Sequence, residues 1–139
     1  PKSDFVSVPT HCTLCPRRCG ADRAAGRTGF CGAGGTLKAA RAALHYWEGL
    51  HLAEIFLSLQ AQGAHNINLV TPGQWRPWII AALDIAREKG LRLPIVCNTG
   101  GYETVESVEA WRGYIDIWLA DLKYVSSALS AELSSAPDS

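Results

Sequence analysis

The sequence predicts an α/β fold with parallel strands, preceded by a cysteine-rich knuckle. Three observations carry that reading. From residue 50 onward, stretches with helical apolar spacing alternate with short apolar runs typical of buried strands. Each apolar run stops at polar or glycine residues. Residues 1–36, in contrast, hold Pro9, Pro16, Gly20, Gly26, Gly29, Gly32, Gly34 and Gly35, which leave no room for a long regular element.

The elements follow in order. Leu52, Ile55, Phe56 and Leu59 recur at helical spacing, and Gly63 closes that helix. Residues 66–71, Asn-Ile-Asn-Leu-Val-Thr, read as a buried strand stopped by Pro72-Gly73. An amphipathic helix follows over 78–89, capped by Gly90. Residues 93–97 form the next strand, running into Asn98-Thr99-Gly100-Gly101. A short helix over 104–111 carries acidic residues in its first turn, where the helix dipole favours them. Residues 114–119 form a third strand ending at Asp121-Leu122-Lys123, and a last helix covers 127–133. Residues 37–44 are ambiguous between strand and helix. Such alternation builds right-handed β/α crossovers.

Composition narrows the function classes. A 139-residue chain with 47% hydrophobic and 19% charged residues is globular rather than disordered. Its 13 basic and 13 acidic residues cancel, so no overall field draws nucleic acid or anionic lipid. No apolar run approaches the roughly 20 residues that span a bilayer. The first residues, Pro-Lys-Ser-Asp-Phe, lack the order of a secretory signal, so the expected compartment is the reducing cytoplasm. The chain has no methionine, which points to a processed, trimmed or internal fragment.

In parallel β/α folds, ligands bind at the carboxyl ends of the strands. Those ends supply the candidate ligand-binding residues: Asn68 and Thr71, then Asn98 and Thr99, then Asp121 and Lys123. Side-chain alternation puts Asn66 and Asn68 on one face. Ordinary turn chemistry also ends strands on such residues, and that reading stands beside the functional one.

Cys12, Cys15, Cys19 and Cys31 are the candidate metal ligands. Thiolates are strong ligands for soft ions, and short loops gather them at small entropic cost. Zinc in a tetrahedral structural site and an iron–sulfur cluster are both open. His11 is expected to be a spectator. Arg17, Arg18 and Arg23 either favour the thiolate forms or are simply solvated. Cys97, alone on a strand, reads as a small buried hydrophobe. Trp75, Trp78, Trp111 and Trp118 are expected in the core or on packing surfaces, and His45, Trp47 and Glu48 in packing.

Several long motifs, in order, resemble one family. They are residues 63–72 (Gly-Ala-His-Asn-Ile-Asn-Leu-Val-Thr-Pro), 93–103 (Leu-Pro-Ile-Val-Cys-Asn-Thr-Gly-Gly-Tyr-Glu) and 116–124 (Asp-Ile-Trp-Leu-Ala-Asp-Leu-Lys-Tyr). Residues 12–19, the Gly-Phe-Cys-Gly turn at 29–32 and Leu-His-Tyr-Trp-Glu at 44–48 complete the set. Together they are similar to radical S-adenosylmethionine (SAM) proteins of the pyruvate formate-lyase activating enzyme group. The resemblance implies a knuckle over 1–36 and a partial (β/α) barrel over 37–139. It also implies a [4Fe–4S] cluster and SAM as cofactors, with an electron donor and a protein or small-molecule radical substrate as partners. The strand-end residues above would then lie near SAM.

One departure decides what chemistry to expect. The family's three cluster cysteines follow Cys-x3-Cys-x2-Cys, and they leave one iron open for SAM. Here Cys12, Cys15 and Cys19 run in the reverse order of spacing and match the family's separate N-terminal knuckle. The segment expected to carry the triad, between Glu48 and the helix containing Glu54, holds no cysteine. A gene deletion, a gene-model artefact and a degenerate paralogue each account for that junction. The end at 136–139 falls where the family barrel would continue. The expectation is a catalytically incomplete chain, or alternatively a non-catalytic metal-binding module on a β/α remnant. An incomplete barrel is also expected to expose strand edges and apolar faces.

Overall fold

The structure, a computed structural model, describes residues 8–35 and 49–136. Segment 37–44 and the group His45, Trp47 and Glu48 lie outside the described residues. After the knuckle the described elements are helix α1 (Gly49–Ala61), strand β1 (Ile67–Val70), helix α2 (Arg76–Glu88), strand β2 (Ile95–Thr99), helix α3 (Val105–Ala110), strand β3 (Ile117–Ala120) and helix α4 (Ser127–Ser134). A 3-10 turn, Gly73–Trp75, leads into α2.

The strands form one parallel sheet in the order β1-β2-β3. Mixed α/β architecture with parallel strands is therefore what the alternation predicted. Register pairs Ile67 with Ile95, Leu69 with Cys97 and Cys97 with Trp118. Because side chains alternate, Ile67, Leu69, Ile95, Cys97, Thr99 and Trp118 share one face, and Asn68, Val70, Val96, Asn98, Ile117 and Leu119 share the other.

The first face is the one the helices seal. Leu52, Ala53 and Phe56 of α1 and Trp78, Ile79, Ala82, Leu83 and Ala86 of α2 pack in one cluster with Ile67, Leu69, Ile95 and Trp111. Both helices stop in the same way. Gly63 and Gly90 take φ of +83° and +96°, which costs glycine little. The next amides, Ala64 and Leu91, then reach back to the carbonyls of Leu59 and Ala86 at 3.0 and 2.9 Å. Leu91 enters the core from that turn.

β1 falls within the expected 66–71, whereas β2 and β3 lie slightly later than the periodicity suggests. Residues 114 and 115 belong to the turn after α3, where both amides bond the Trp111 carbonyl. Asn98 and Thr99 are inside β2, since Val70, Leu119 and Ala120 pair with them. The helix expected over 78–89 begins at Arg76, because Pro77 suits a first turn, where its missing N–H is not needed.

Three of the four tryptophans expected to pack do so: Trp78 and Trp111 are buried and Trp75 is half-buried. Trp118 is 39% exposed, a difference with a clear origin. It shares the sealed face, but all four residues of β3 are exposed because α1 and α2 cover β1 and β2. The expected exposure of strand edges is thus present at β3. Among the described residues, no helix is long and apolar enough to cross a membrane.

Candidate functional site: a strand-end cleft and a thiol cluster

The carboxyl ends of β2 and β3 open into a cleft of about 400 Å³. Gly100, Gly101 and Tyr102 line it from the β2 end, Asp121, Lys123 and Tyr124 from the β3 end, and Arg17 reaches in from the knuckle. Lys123 Nζ donates to Asp121 Oδ2 at 2.5 Å, so the two charges partly neutralise each other at the rim. Arg17 is held by α4: its guanidinium donates to the Ser134 carbonyl at 2.6 Å and the Ser135 carbonyl at 3.1 Å. A cation there also complements the negative end of the α4 dipole. The same guanidinium lies 3.7 Å over the Phe30 ring and 5.9 Å from the Tyr102 ring centre. The cleft therefore combines aromatic walls with paired charge, which suits a polar ligand carrying a flat ring.

Of the six strand-end candidates, the structure brings Asp121 and Lys123 into the cleft wall. Asn68 and Asn98 lie beside each other's strands on the unsealed face. Thr99 points the other way and is 3% exposed. Its hydroxyl donates to Glu103 Oε1 at 2.9 Å. Thr71 ends β1 at φ +49°, with its amide bonded to the Asn98 carbonyl at 2.8 Å. A β-branched residue before proline disfavours that conformation, so Thr71 sits in stored backbone strain.

Periodicity and motif spacing missed the carboxylate that ties these ends together. Glu103 accepts from Thr99 and, at 3.2 Å, from the Ser107 hydroxyl, while Arg76 donates to that same hydroxyl at 2.6 Å. Glu103 also packs on Gly73, where a Cβ would meet Oε2 at 3.0 Å. One acidic side chain thus clasps the β1–α2 and β2–α3 loops. Burial pulls the Arg76 guanidinium below its ordinary value, and the Glu103 charge opposes that pull. Burial, seconded by the Glu103 charge, pushes the Cys97 thiol up to about 11. The four-residue steps from Thr99 to Glu103 to Ser107 were the only sequence signal of this clasp.

In the knuckle, Cys12 is buried, Cys15 half-buried, and Cys19 and Cys31 exposed, all as free thiols. The sulfurs of Cys19 and Cys31 approach across Gly29, standing 3.2 and 3.5 Å from where its Cβ would be. Hydrogen bonds from the Ala21 and Phe30 backbones lower the Cys19 thiol below its ordinary value, with smaller help from the Cys12 thiol and the Arg23 charge. Cys15 opens the turn closed by the Arg18 amide on its carbonyl at 3.0 Å. Among the described residues, no three or more His, Cys, Asp or Glu side chains converge closely enough to hold a metal as they stand.

The arginines split between the two expectations: Arg18 is exposed, and the Arg23 charge helps lower the Cys19 thiol. Arg17 serves α4, whereas Arg23 is 2% exposed and so is not solvated. It donates to the Gln74 carbonyl at 2.8 Å, and its other terminal nitrogen lies 3.9 Å from the Cys31 sulfur. His11 is exposed and packs against Gly20. Comparisons with protein families, curated proteins and solved structures return no match to this chain.

Proposed function

We propose that this chain is a radical SAM-type β/α scaffold, related to the pyruvate formate-lyase activating enzyme group. Its strand-end cleft takes SAM and its knuckle holds a metal through Cys12, Cys15, Cys19 and Cys31. The observation that carries the reading is the cleft itself, which lies at the carboxyl edge of a parallel sheet and is walled by Asp121 and Lys123. Lys123 and Asp121 suit the carboxylate and ammonium of an amino acid, and Tyr102 and Tyr124 supply aromatic surface for a purine.

The residues present do not fit the catalytic cluster. Outside the knuckle the sequence has one cysteine, Cys97, and it is buried on the sealed face with a thiol that resists ionisation. Metal coordination needs thiolate. Reductive cleavage of SAM is therefore not assigned to this chain. The two parts of the proposal are tested separately. Calorimetric titration with SAM is expected to give saturable binding that Lys123→Ala weakens, and an absence of binding sinks the cleft assignment. Anaerobic incubation with iron, sulfide, dithionite and SAM is expected to yield no 5′-deoxyadenosine, whose formation would overturn the catalytic incompleteness.

A second reading is favoured by the knuckle alone: a non-catalytic metal-binding module. Three of its thiols lie close in pairs around a buried arginine. Binding of zinc without any binding of SAM selects this reading over the first.

A further inference from the structure

Two sulfurs of the knuckle meet across a glycine. A Cβ on Gly29 would stand 3.2 Å from the Cys19 sulfur and 3.5 Å from the Cys31 sulfur, and the next nearest atom is the Ala33 carbonyl oxygen at 3.9 Å. The missing methyl group thus leaves the space between these two thiols open. Both cysteines are exposed, so a small oxidant reaches them. Cys12 also touches Cys19, but it is 3% exposed, and its amide and carbonyl are tied to Ala21 and Gly20 at 3.1 and 3.0 Å. Cys31 instead sits in an exposed turn, closed by the Gly32 amide on the Gly29 carbonyl at 2.9 Å.

A buried cation stands against the pair. Arg23 is 2% exposed, its terminal nitrogen donates to the Cys31 sulfur at 3.9 Å, and its buried Nε–H has no hydrogen-bond partner. No carboxylate forms an ion pair with it among the described residues. Backbone groups of Ala21 and Phe30 hydrogen-bond the Cys19 sulfur from the other side. Accessible cysteines in such electropositive, donor-rich surroundings are the reactive ones.

We propose that Cys19 and Cys31 are a peroxide-sensitive dithiol that closes to a reversible disulfide. Two sulfurs suffice for this bond, so the proposal does not rest on the metal reading of the knuckle. Hydrogen peroxide is the oxidant. The Cys19 sulfur attacks one peroxide oxygen, the O–O bond breaks, an S–O bond forms, and one water leaves with the thiol's hydrogen. The Cys31 sulfur then attacks the Cys19 sulfenic sulfur. The S–O bond breaks, the S–S bond forms, and a second water carries away the Cys31 hydrogen. Both sulfurs are oxidised by one electron each, and the peroxide takes up the two electrons. The turn that moves carries Phe30, whose ring lies 3.7 Å under the Arg17 guanidinium, so the bond forms beside the arginine that lines the cleft.

The test treats the reduced full chain with a small excess of hydrogen peroxide in the presence of a chelator. Free thiols are then blocked with N-ethylmaleimide, and tryptic peptides are mapped by mass spectrometry. Trypsin cuts after Arg18, Arg23 and Arg27, which puts Cys19 and Cys31 on separate peptides, both apart from Cys12 and Cys15. The expected product is one cross-linked pair, Cys19 with Cys31 within a single chain, that dithiothreitol separates. In Cys19→Ser, Cys31 is expected to stay a thiol at the same peroxide dose. Gly29→Ala fills the space between the sulfurs and is expected to form the bond at least about 10-fold more slowly. The wild-type map decides alone if Gly29→Ala fails to fold. Thiols unchanged by peroxide overturn the proposal, as does a bond from Cys19 to Cys12 or Cys15, or a link between two chains. Oxidation of Cys31 in Cys19→Ser, or an undiminished rate in folded Gly29→Ala, also overturns it.

Discussion

On one face of the sheet, Ile67, Leu69, Ile95 and Cys97 are all buried, whereas on the other Val70, Ile117 and Leu119 are 65%, 48% and 48% exposed. The two faces alternate along the same strands and have similar apolar content. The difference is what lies above them: α1 and α2 seal the first, and no described helix seals the second. Only β2 is buried from both sides. Its Val96, on the unsealed face, is 6% exposed because Asn68 and Ile117 flank it in register. Burial of a strand is thus set by its neighbours as much as by its residues.

The largest effect separates the two faces directly. Leu83→Ala, in the sealed core, is expected to cost about 2–5 kcal/mol by urea unfolding, and Leu119→Ala under about 1 kcal/mol. Equal losses would mean that the second face is covered in solution. Glu103→Gln comes next. It presents an amide to two hydroxyl donors and is expected to cost about 1–3 kcal/mol in the same measurement. An unchanged midpoint would remove the clasp between the strand ends.

Thr104 caps α3 by accepting from the Ser107 amide at 3.0 Å, so Thr104→Ala is expected to cost about 1 kcal/mol. Alkaline pH then probes the sealed face. The folded Cys97 thiol stays protonated up to about 11, above its ordinary 9.0, so the folded state holds more protons between those values. Its contribution to stability is complete below pH 9.0 and is lost as pH climbs toward about 11. Cys97→Ala is expected to flatten that decline in a pH series of thermal melts. The smallest effect belongs to the exposed Arg112–Glu109 pair, where Arg112→Ala is expected to shift stability by no more than about 0.5 kcal/mol.

Much of the scaffold was legible from local patterns. Gly63 and Gly90 marked the ends of α1 and α2 because a left-handed cap is a local requirement. Ile67, Leu69 and Ile95 announced buried strands, and Cys97 read correctly as a buried small residue. The candidate site was less legible. Asp121 and Lys123 reach the cleft, but Thr99, one residue past Asn98, faces the sealed side and serves Glu103. A shift of one residue in a strand reverses a side chain, and periodicity places strand ends no better than that.

By itself the sequence determined the order of elements, the parallel α/β class and the presence of a thiol-rich knuckle. These follow from spacing, caps and residue type, all of which act over a few positions. Tertiary structure alone decided which sheet face is sealed, that Arg17 serves α4, and that Arg23 is buried with an unpaired Nε–H beside the thiols. The sealed face depends on helices and strands packing across the chain, and the two arginine placements on contacts 51 and 118 residues apart, Arg23 with Gln74 and Arg17 with Ser135. No local pattern encodes such pairings, because their energy exists only once the chain has folded.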